Sequence, residues 1–425
     1  MPVAQPLPAR QPGLREHNLA LALGAVAALA PVSRAQVASA TGLTKATVSS
    51  LVDTLVEAGL VADLGRAVVR SGAGRPGAAL ALAPGAPVGI GLEVNVDYVA
   101  TCTVALTGAV RERHVLAGDL RGVPVPAALD RAADAVRRAL DGARAAGLPV
   151  AGLAVAVPGL VHTGRGLLRL APNLGWREVA VVDELRRRLP ELAGLPVRLD
   201  NEANLAALAE LWCAGHEGPD GAPLGTFVLV SGEIGIGAAV VVDGAVMRGQ
   251  HGYAGELGHV PVPLPGRGAG RRCRCGATDC LEGVAGQEAV LRAAGLRPDG
   301  GPPLAADRLA QRPVLELAAR AAAGDERALA AVASAGTALG VAVSALVNLL
   351  DVDTVVLGGF HARLAPWLTG PVEVELSRRV LAAAWQPVRV LASPLAGEAA
   401  VRGAATSVVR AVIADPALHL AGAAG

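Results

Sequence analysis

Three cysteines within eight residues, Cys273, Cys275 and Cys280, follow His259 in the stretch Y-A-G-E-L-G-H-V-P-V-P-L-P-G-R-G-A-G-R-R-C-R-C-G-A-T-D-C-L-E (253–282). Three thiolates and one imidazole complete a tetrahedral donor set for zinc. A closed set of four leaves no position for water, so the implied role of Zn2+ is structural. The Cys-x-Cys spacing with Gly276 behind it suits a backbone that turns sharply around an ion. Arg271, Arg272 and Arg274 would favour the thiolate forms. The competing reading is a loop of free or redox-active thiols. If the metal is bound, every element that carries a ligand must converge on one point, which restricts the fold of this region more than any other stretch does.

Glu256 and Glu282 bracket the cluster. A four-donor set needs neither of them. They could accept hydrogen bonds from the hydroxyls of a small polyol, or be solvated surface charges, the usual condition of a lone glutamate. The combination G-E-L-G-H with C-x-C-G-x-x-x-C-L-E resembles the signature of the ROK family (repressors, open reading frames and kinases). The resemblance implies an α/β chain with a two-lobed, actin-like (ribonuclease H-like) sugar-kinase fold and a zinc knuckle beside the sugar site. The remaining question is whether the chain is a regulator or a kinase.

At 425 residues the chain has room for two or three domains. It is 52% hydrophobic and 18% charged with a net charge of +1, the profile of a soluble globular protein rather than a disordered or fibrous one. Aromatic residues are only 2%, so the core must be built from Ala, Val and Leu. No cationic region precedes an apolar one at the N-terminus, so no secretory signal is expected. Clustered rather than dispersed cysteines fit a reducing cytoplasm. The uncharged run 328–350 is long enough to span a bilayer. It is interrupted by Ser334, Gly336, Thr337, Gly340, Ser344 and Asn348, so a buried core helix and no membrane association are expected.

Met1 to Gly13 carries four prolines and reads as a loose arm, and Asn18 to Ala30 as a helix stopped by Pro31. Ser33 can cap a short helix ending near Ala40, Gly42 supplies the turn, and Thr44 can cap the next helix. In that helix Val48, Leu51, Val52 and Leu55 recur at helical spacing and form the buried stripe. This is a helix-turn-helix pattern, whose second helix enters the major groove by its N-terminal residues. Candidate DNA contacts are Arg34, Thr44, Lys45, Ala46, Thr47, Ser49 and Ser50. A two-stranded wing with Arg66 and Arg70 near its turn is expected next, and then Arg75 on a glycine-flanked segment that could lie in a minor groove or against phosphate. Between positions 10 and 75, seven basic residues (Arg10, Arg15, Arg34, Lys45, Arg66, Arg70, Arg75) oppose four acidic ones (Glu16, Asp53, Glu57, Asp63), a local charge of +3. Positive charge thus gathers where contact with double-stranded operator DNA is proposed. A helical module that only packs or dimerises is the plainer alternative. The G-L-x-K-x-T-V-S core and the Gly74-Arg75-Pro76 link also resemble the winged helix-turn-helix of ROK regulators. The expected domains are 14–83 for DNA binding and 88–415 for the ROK region, dividing into lobes near 200.

From Val88 strands alternate with helices, as in an α/β fold. Thr107-Gly108 reads as a hairpin turn, Asp130 to Ala146 as an amphipathic helix, Val150 to Val157 as a buried strand and Ala171 to Trp176 as a loop. A strand over 196–199 leads to Asp200, Asn201 and Glu202 at the start of a helix, a common place for ligand groups. By resemblance, Asn201, Glu202, Glu256, His259 and Glu282 occupy sugar-site positions. Glu202 stands where the kinases carry an aspartate base, and its longer reach would harm catalysis more than binding, since a misplacement of about 1 Å can cost roughly a hundredfold in rate.

The glycine-rich turn in V-S-G-E-I-G-I-G could cradle phosphate or be a plain hairpin. Compared with the kinases, Glu233 replaces a threonine there. Glu93-Val94-Asn95-Val96-Asp97 replaces a glycine-rich phosphate loop, with Val94 and Val96 expected to block backbone approach. D-V-D-T-V-V-L-G-G-F reads as a strand with a Gly358-Gly359 turn, placing Phe360 at the family's adenosine pocket. These features imply a cytoplasmic, dimeric (or dimer-of-dimers) transcriptional regulator, most simply a repressor, responding to a monosaccharide or sugar phosphate. The alternative is an ATP-dependent hexose kinase with an appended DNA-binding module.

Overall fold

The computed structural model describes residues 11–65, 78–263, 270–297, 311–417 and 419. The N-terminal module runs α1 (Gln11–Leu29), β1 (Val32–Ser33), α2 (Arg34–Thr41), α3 (Lys45–Glu57), β2 (Val61–Asp63) and β3 (Ala79–Leu82). Helix α1 begins ahead of the expected Asn18, because a proline near a helix start removes only an N–H that has no intrahelical partner. Ser33 caps α2 in a reciprocal capping box with Gln36. Gly42 takes φ +70° at the turn, and Thr44 caps α3 through the Thr47 amide. Val48, Leu51, Val52 and Leu55 are buried against Leu19, Leu23 and Val26 of α1. The three strands form one antiparallel sheet, with Val61 opposite Leu82, so the wing is present. Arg66, Arg70 and Arg75 lie outside the described residues.

The next unit runs β4 (Val88–Val94), β5 (Tyr98–Ala105), β6 (Val110–Ala117), α4 (Val125–Ala145), β7 (Val150–Val157), β8 (Leu160–His162), β9 (Leu167–Ala171), β10 (Trp176–Val179), α5 (Val181–Arg188), β11 (Val197–Asn201) and α6 (Glu202–Cys213). Its main sheet has the order β6-β5-β4-β7-β11: an antiparallel meander, then two strands parallel to β4. The Ala171–Trp176 loop connects two short strands of a side sheet, β8-β9-β10, that the sequence reading omitted.

The last unit runs β12 (Phe227–Gly232), β13 (Ile236–Val242), β14 (Ala245–Val246), α7 (Glu282–Ala285), α8 (Gln287–Ala293), α9 (Gln311–Ala322), α10 (Glu326–Leu350), β15 (Thr354–Gly358), α11 (Gly359–Arg379), β16 (Arg389–Ala392) and α12 (Ala399–Ala414). Its sheet order, β14-β13-β12-β15-β16, repeats the first: a meander, then two strands parallel to β12. Two lobes of equal topology, each a sheet with helices packed on it, make up the actin-like architecture. Helix α10 is apolar enough to cross a membrane, yet 61% of its apolar window is buried in the second lobe, largely against α11. Gly358 and Gly359 form a direct strand-to-helix junction into α11 rather than the expected turn.

Helix α12 returns from the second lobe to the first sheet. Gly89 and Gly91 on β4 make that possible, since a β-carbon at either would collide with α12 backbone at Ala405 or Val401. Gly403 likewise lets α12 touch the α6 backbone at Leu205. As a result, one continuous apolar core includes α1 and α3 of the DNA-binding module, α6 and α12.

Candidate functional site: cleft, thiolate cluster and recognition helix

Between the lobes lies a cavity of about 290 Å³. Asn201 and Glu202 reach it from the β11–α6 junction, and Glu256, His259 and Glu282 from the second lobe. Asn95 after β4, Asn173 in the side-sheet loop and Glu233 at the β12–β13 hairpin complete its polar lining. Asn173 was read only as part of a loop. The available signal was a polar side chain in A-P-N-L-G-W, a segment with little else to contribute.

The strand-to-helix break at Asn201 explains how the floor is built. The Asn201 Oδ1 caps α6 by accepting from Ala203 N at 2.8 Å, and its Nδ2 donates to Gly159 O at 2.9 Å. Asn201 therefore holds the helix start as well as facing the cavity, and Glu202 is fixed one residue on. Glu282 accepts from Ile236 N at 3.2 Å, which ties the hairpin tip to the α7 end of the metal loop. A β-carbon at Gly235 would meet the side-chain ends of Glu282 and Asn173, so glycine lets the tip pass without displacing them.

Beneath the cavity the carboxylates crowd together. Tyr98 donates its hydroxyl to Glu93 Oε1 at 2.5 Å, and Asn95 Nδ2 reaches Glu93 Oε1 at 3.2 Å and Glu202 Oε2 at 3.3 Å. The other oxygen of Glu93 is buried without a partner. Burial pushes the Glu202 carboxyl up to about 8, reinforced by Glu93, Glu256, Asp97 and Glu282. Burial, then the charges of Glu93 and Glu202, holds Glu233 well above the ordinary carboxylate range. Burial also raises Glu93, against the lowering pull of Tyr98 and Asn95. Among the described residues, four glutamates and no lysine or arginine line the cavity. Carboxyls and amides suit polyol hydroxyls, whereas a polyphosphate would find no lysine or arginine among the described lining residues.

Of the two valines expected to block backbone approach at 93–97, only Val96 lines the cleft. Val94 is buried in the first-lobe core with α4, so its side chain does not obstruct the cleft. Strand alternation sends Val94 to the sheet face opposite Glu93. Phe360 is also buried, its ring 4.2 Å from that of His361, and it fills space beside Gly232.

At the cavity rim, the donor atoms of His259, Cys273, Cys275 and Cys280 all lie within 4.8 Å of one another. His259 Nδ1 is 3.7 Å from Cys273 Sγ, and Cys275 Sγ is 3.8 Å from Cys280 Sγ. Tetrahedral zinc with Zn–S near 2.3 Å requires sulfur–sulfur edges of about 3.8 Å. The donor set therefore fits that ion. Gly276 (φ +97°) turns the knuckle, and its amide donates to Cys273 O at 3.0 Å. The other ring nitrogen of His259 is 3.9 Å from Glu256, which places this imidazole between the cluster and the cleft. Arg271 donates to Gly283 O and Arg274 faces Glu288, so these two are engaged away from the sulfurs. Cys102 and Cys213 stand on β5 and α6, outside the cluster.

On α3, Thr44, Lys45, Ala46 and Ser50 are exposed and Thr47 and Ser49 half-buried, all near its N-terminal end. Thr44 and Thr47 hydroxyls are 2.8 Å apart. Arg34 pairs with Asp53 of α3 at 2.7 Å, so it braces the two helices as well as standing at the start of α2.

A winged helix joined to a two-lobed sugar-kinase fold, with a carboxylate-lined cleft between the lobes, defines a DNA-binding transcriptional regulator. The sequence pattern of the ROK family matches residues 89–411, and that of the MarR family matches residues 20–66. The chain belongs to the ROK family. It is 26% identical over 404 residues to a xylose repressor of Bacillus subtilis (strain 168), spanning 94% of this chain and 97% of that protein. It is 32% identical over 245 residues to a glucokinase of Halalkalibacterium halodurans, spanning 57% of this chain and 71% of that one. In structure it is similar to a ROK family transcriptional regulator described as a homolog of the E. coli MLC protein, with a TM-score of 0.75, 24% identity, and coverage of 97% of this chain and 100% of that one. The repressor likeness takes in the DNA-binding module. The glucokinase likeness extends over little more than half of the chain.

Proposed function

We propose that this protein represses carbohydrate-metabolism genes and that a monosaccharide bound in the cleft lowers its operator affinity. The observation that carries this reading is the lining of the cavity: four glutamates, three asparagines and a histidine, with no lysine or arginine among the described residues, in a chain that also carries a winged helix. Asn201, Glu202, Glu256, His259 and Glu282 are assigned to the sugar, and no residue is assigned a catalytic role. A structural Zn2+ held by His259, Cys273, Cys275 and Cys280 would fix the rim. Helix α3 would enter the major groove through Lys45, Ala46, Thr47, Ser49 and Ser50, with Thr44, Arg34 and Arg75 beside the backbone. Two copies reading paired half-sites, in the cytoplasm, complete the proposal.

A ligand shifts an equilibrium only by binding one arrangement better than the other. The continuous core from α1 through α12 to α6 offers a packed route between the cleft and the winged helix. A differential affinity of about 1–3 kcal/mol would change operator affinity about 5–150-fold.

Thermal-shift titration of zinc-loaded protein with free sugars, sugar phosphates and ATP tests the assignment. D-xylose is the first candidate, from the name of the Bacillus relative. A ligand at a hundred times its dissociation constant adds about 2.7 kcal/mol to stability. The expected result is a shift with a sugar, none with ATP, and release of operator DNA by the same sugar. Stabilisation by ATP together with sugar-dependent ADP release would replace this reading with a kinase.

A further inference from the structure

A second hollow, of about 620 Å³, opens where β11, α6, β14 and α12 meet, and it shares no lining residue with the sugar cavity. Helix periodicity aims Leu205, Leu208 and Trp212 of α6 into it, and Ser407, Arg410, Ala411 and Ala414 of α12 face them. Strand alternation adds Arg198 and Asp200, and Arg248 follows β14.

Its charge is unbalanced. Arg248 donates twice to Asp200 Oδ2, at 2.7 and 3.0 Å. The other oxygen of Asp200 accepts from Asn201 N at 2.8 Å and from Asn204 Nδ2 at 2.9 Å. That carboxylate is fully occupied and neutralised by one arginine. Arg198 and Arg410 have no carboxylate partner among the described residues, and Arg410 lies over the Trp212 ring at 5.4 Å. Two unmatched guanidinium groups thus share a hollow with the neutralised Arg248–Asp200 pair and with aliphatic and aromatic walls from Leu205, Leu208, Trp212 and Val246. Guanidinium groups recognise phosphate through paired donors, and the apolar walls offer surface to a carbon skeleton.

We propose that this hollow is a second effector site, one that binds a small phosphorylated metabolite separately from the sugar cleft. Arg198, Ala411 and Ala414 also line the neighbouring cavity of about 920 Å³ that reaches Ala58 and Gly59 of the DNA-binding module. A ligand held by Arg198 would therefore sit beside the joint between that module and the first lobe.

The test is calorimetric titration of the full chain with glucose 6-phosphate as probe, and with inorganic phosphate and citrate as separate arms, while tryptophan fluorescence is followed. Saturable binding of glucose 6-phosphate is expected, with a fluorescence change that Trp212→Phe abolishes while binding persists. Arg198→Gln with Arg410→Gln should weaken binding at least about tenfold, the loss of charge-assisted hydrogen bonds. The Lys pair at the same positions should recover part of it. Both arginines are exposed, so the variants should melt close to wild type, and Glu256→Ala in the sugar cleft should leave this binding unchanged. The proposal fails if glucose 6-phosphate does not saturate, if the glutamine pair binds like wild type, or if Glu256→Ala abolishes binding. Preference for citrate over both phosphate compounds also overturns it.

Discussion

Glu202→Gln is the substitution whose effect follows most directly from the structure. The carboxyl is pushed up to about 8 against an ordinary value of 4.5. An acid raised in the folded state favours the proton there, so its contribution to stability is complete below the ordinary value and is lost as pH rises through about 8. Each pH unit in that window can remove at most about 1.36 kcal/mol for a single group. From pH 5 to 7.5 the ceiling is roughly 3 kcal/mol, and because the side chain partly faces a polar cavity about 2 kcal/mol is the better expectation. Glutamine copies the protonated acid in shape and can still accept from Asn95. Thermal melting over a pH series should show wild type falling relative to the variant, with the gap opening from near zero at pH 5 to about 2 kcal/mol at pH 7.5. Parallel curves, or a gap that widens in the opposite sense, would refute the argument that crowded carboxylates floor this cleft.

Three other substitutions probe the remaining sites. Metal analysis of freshly purified protein should find about one zinc per chain, lost in Cys275→Ser together with much of the stability of the 256–282 region; metal-free wild type would end the zinc assignment. Lys45→Ala should weaken operator and unrelated duplexes alike and lower the slope of log affinity against log salt by about 1. A loss confined to one sequence would place Lys45 on a base rather than a phosphate. Gly403→Ala should push α12 off the α6 backbone, cost about 1–3 kcal/mol through overpacking, and reduce the effect of bound sugar on DNA release more than sugar binding itself. Unimpaired release would mean that the α6–α12 contact does not carry the coupling.

The parts of the molecule legible in the sequence were those whose chemistry is local. Ser33, Gly42 and Thr44 mark helix ends through side chains and backbone freedom within four residues, and the Val48–Leu55 stripe needs only one helix. The cysteine cluster announces itself by density. What escaped was non-local. The two lobes repeat a strand order, not a residue pattern, so the duplication is invisible until strands pair. Leu167–Ala171 and Trp176–Val179 are short and carry arginines and a glutamate, which hid their pairing around the A-P-N-L-G-W loop. Asn95 and Glu202 are 107 residues apart, and nothing near either one signals that they meet. Val94 was misjudged because its loop was compared with a phosphate loop, whereas strand alternation turns it into the core.

The carboxylate lining of the cleft bears on how a sugar-kinase fold can serve DNA. Phosphoryl transfer depends on cations that neutralise charge developing in the transition state. Among the described residues this cleft has no lysine or arginine and gathers Glu202, Glu233, Glu256 and Glu282, so on the proposed function a bound sugar would hold the lobes together rather than enter a reaction. Those lobes are not free of the DNA-binding module. Asn201 caps α6, α6 packs on α12, and α12 packs on both β4 and α1. A lobe movement that displaces the start of α6 must either shift α12 or break a tightly packed contact at Gly403, where no β-carbon fits. Close-packed interfaces change between discrete arrangements rather than deforming gradually. On the proposed function, a ligand preference of a few kcal/mol would suffice to reposition α1, and with it α3 packed against it.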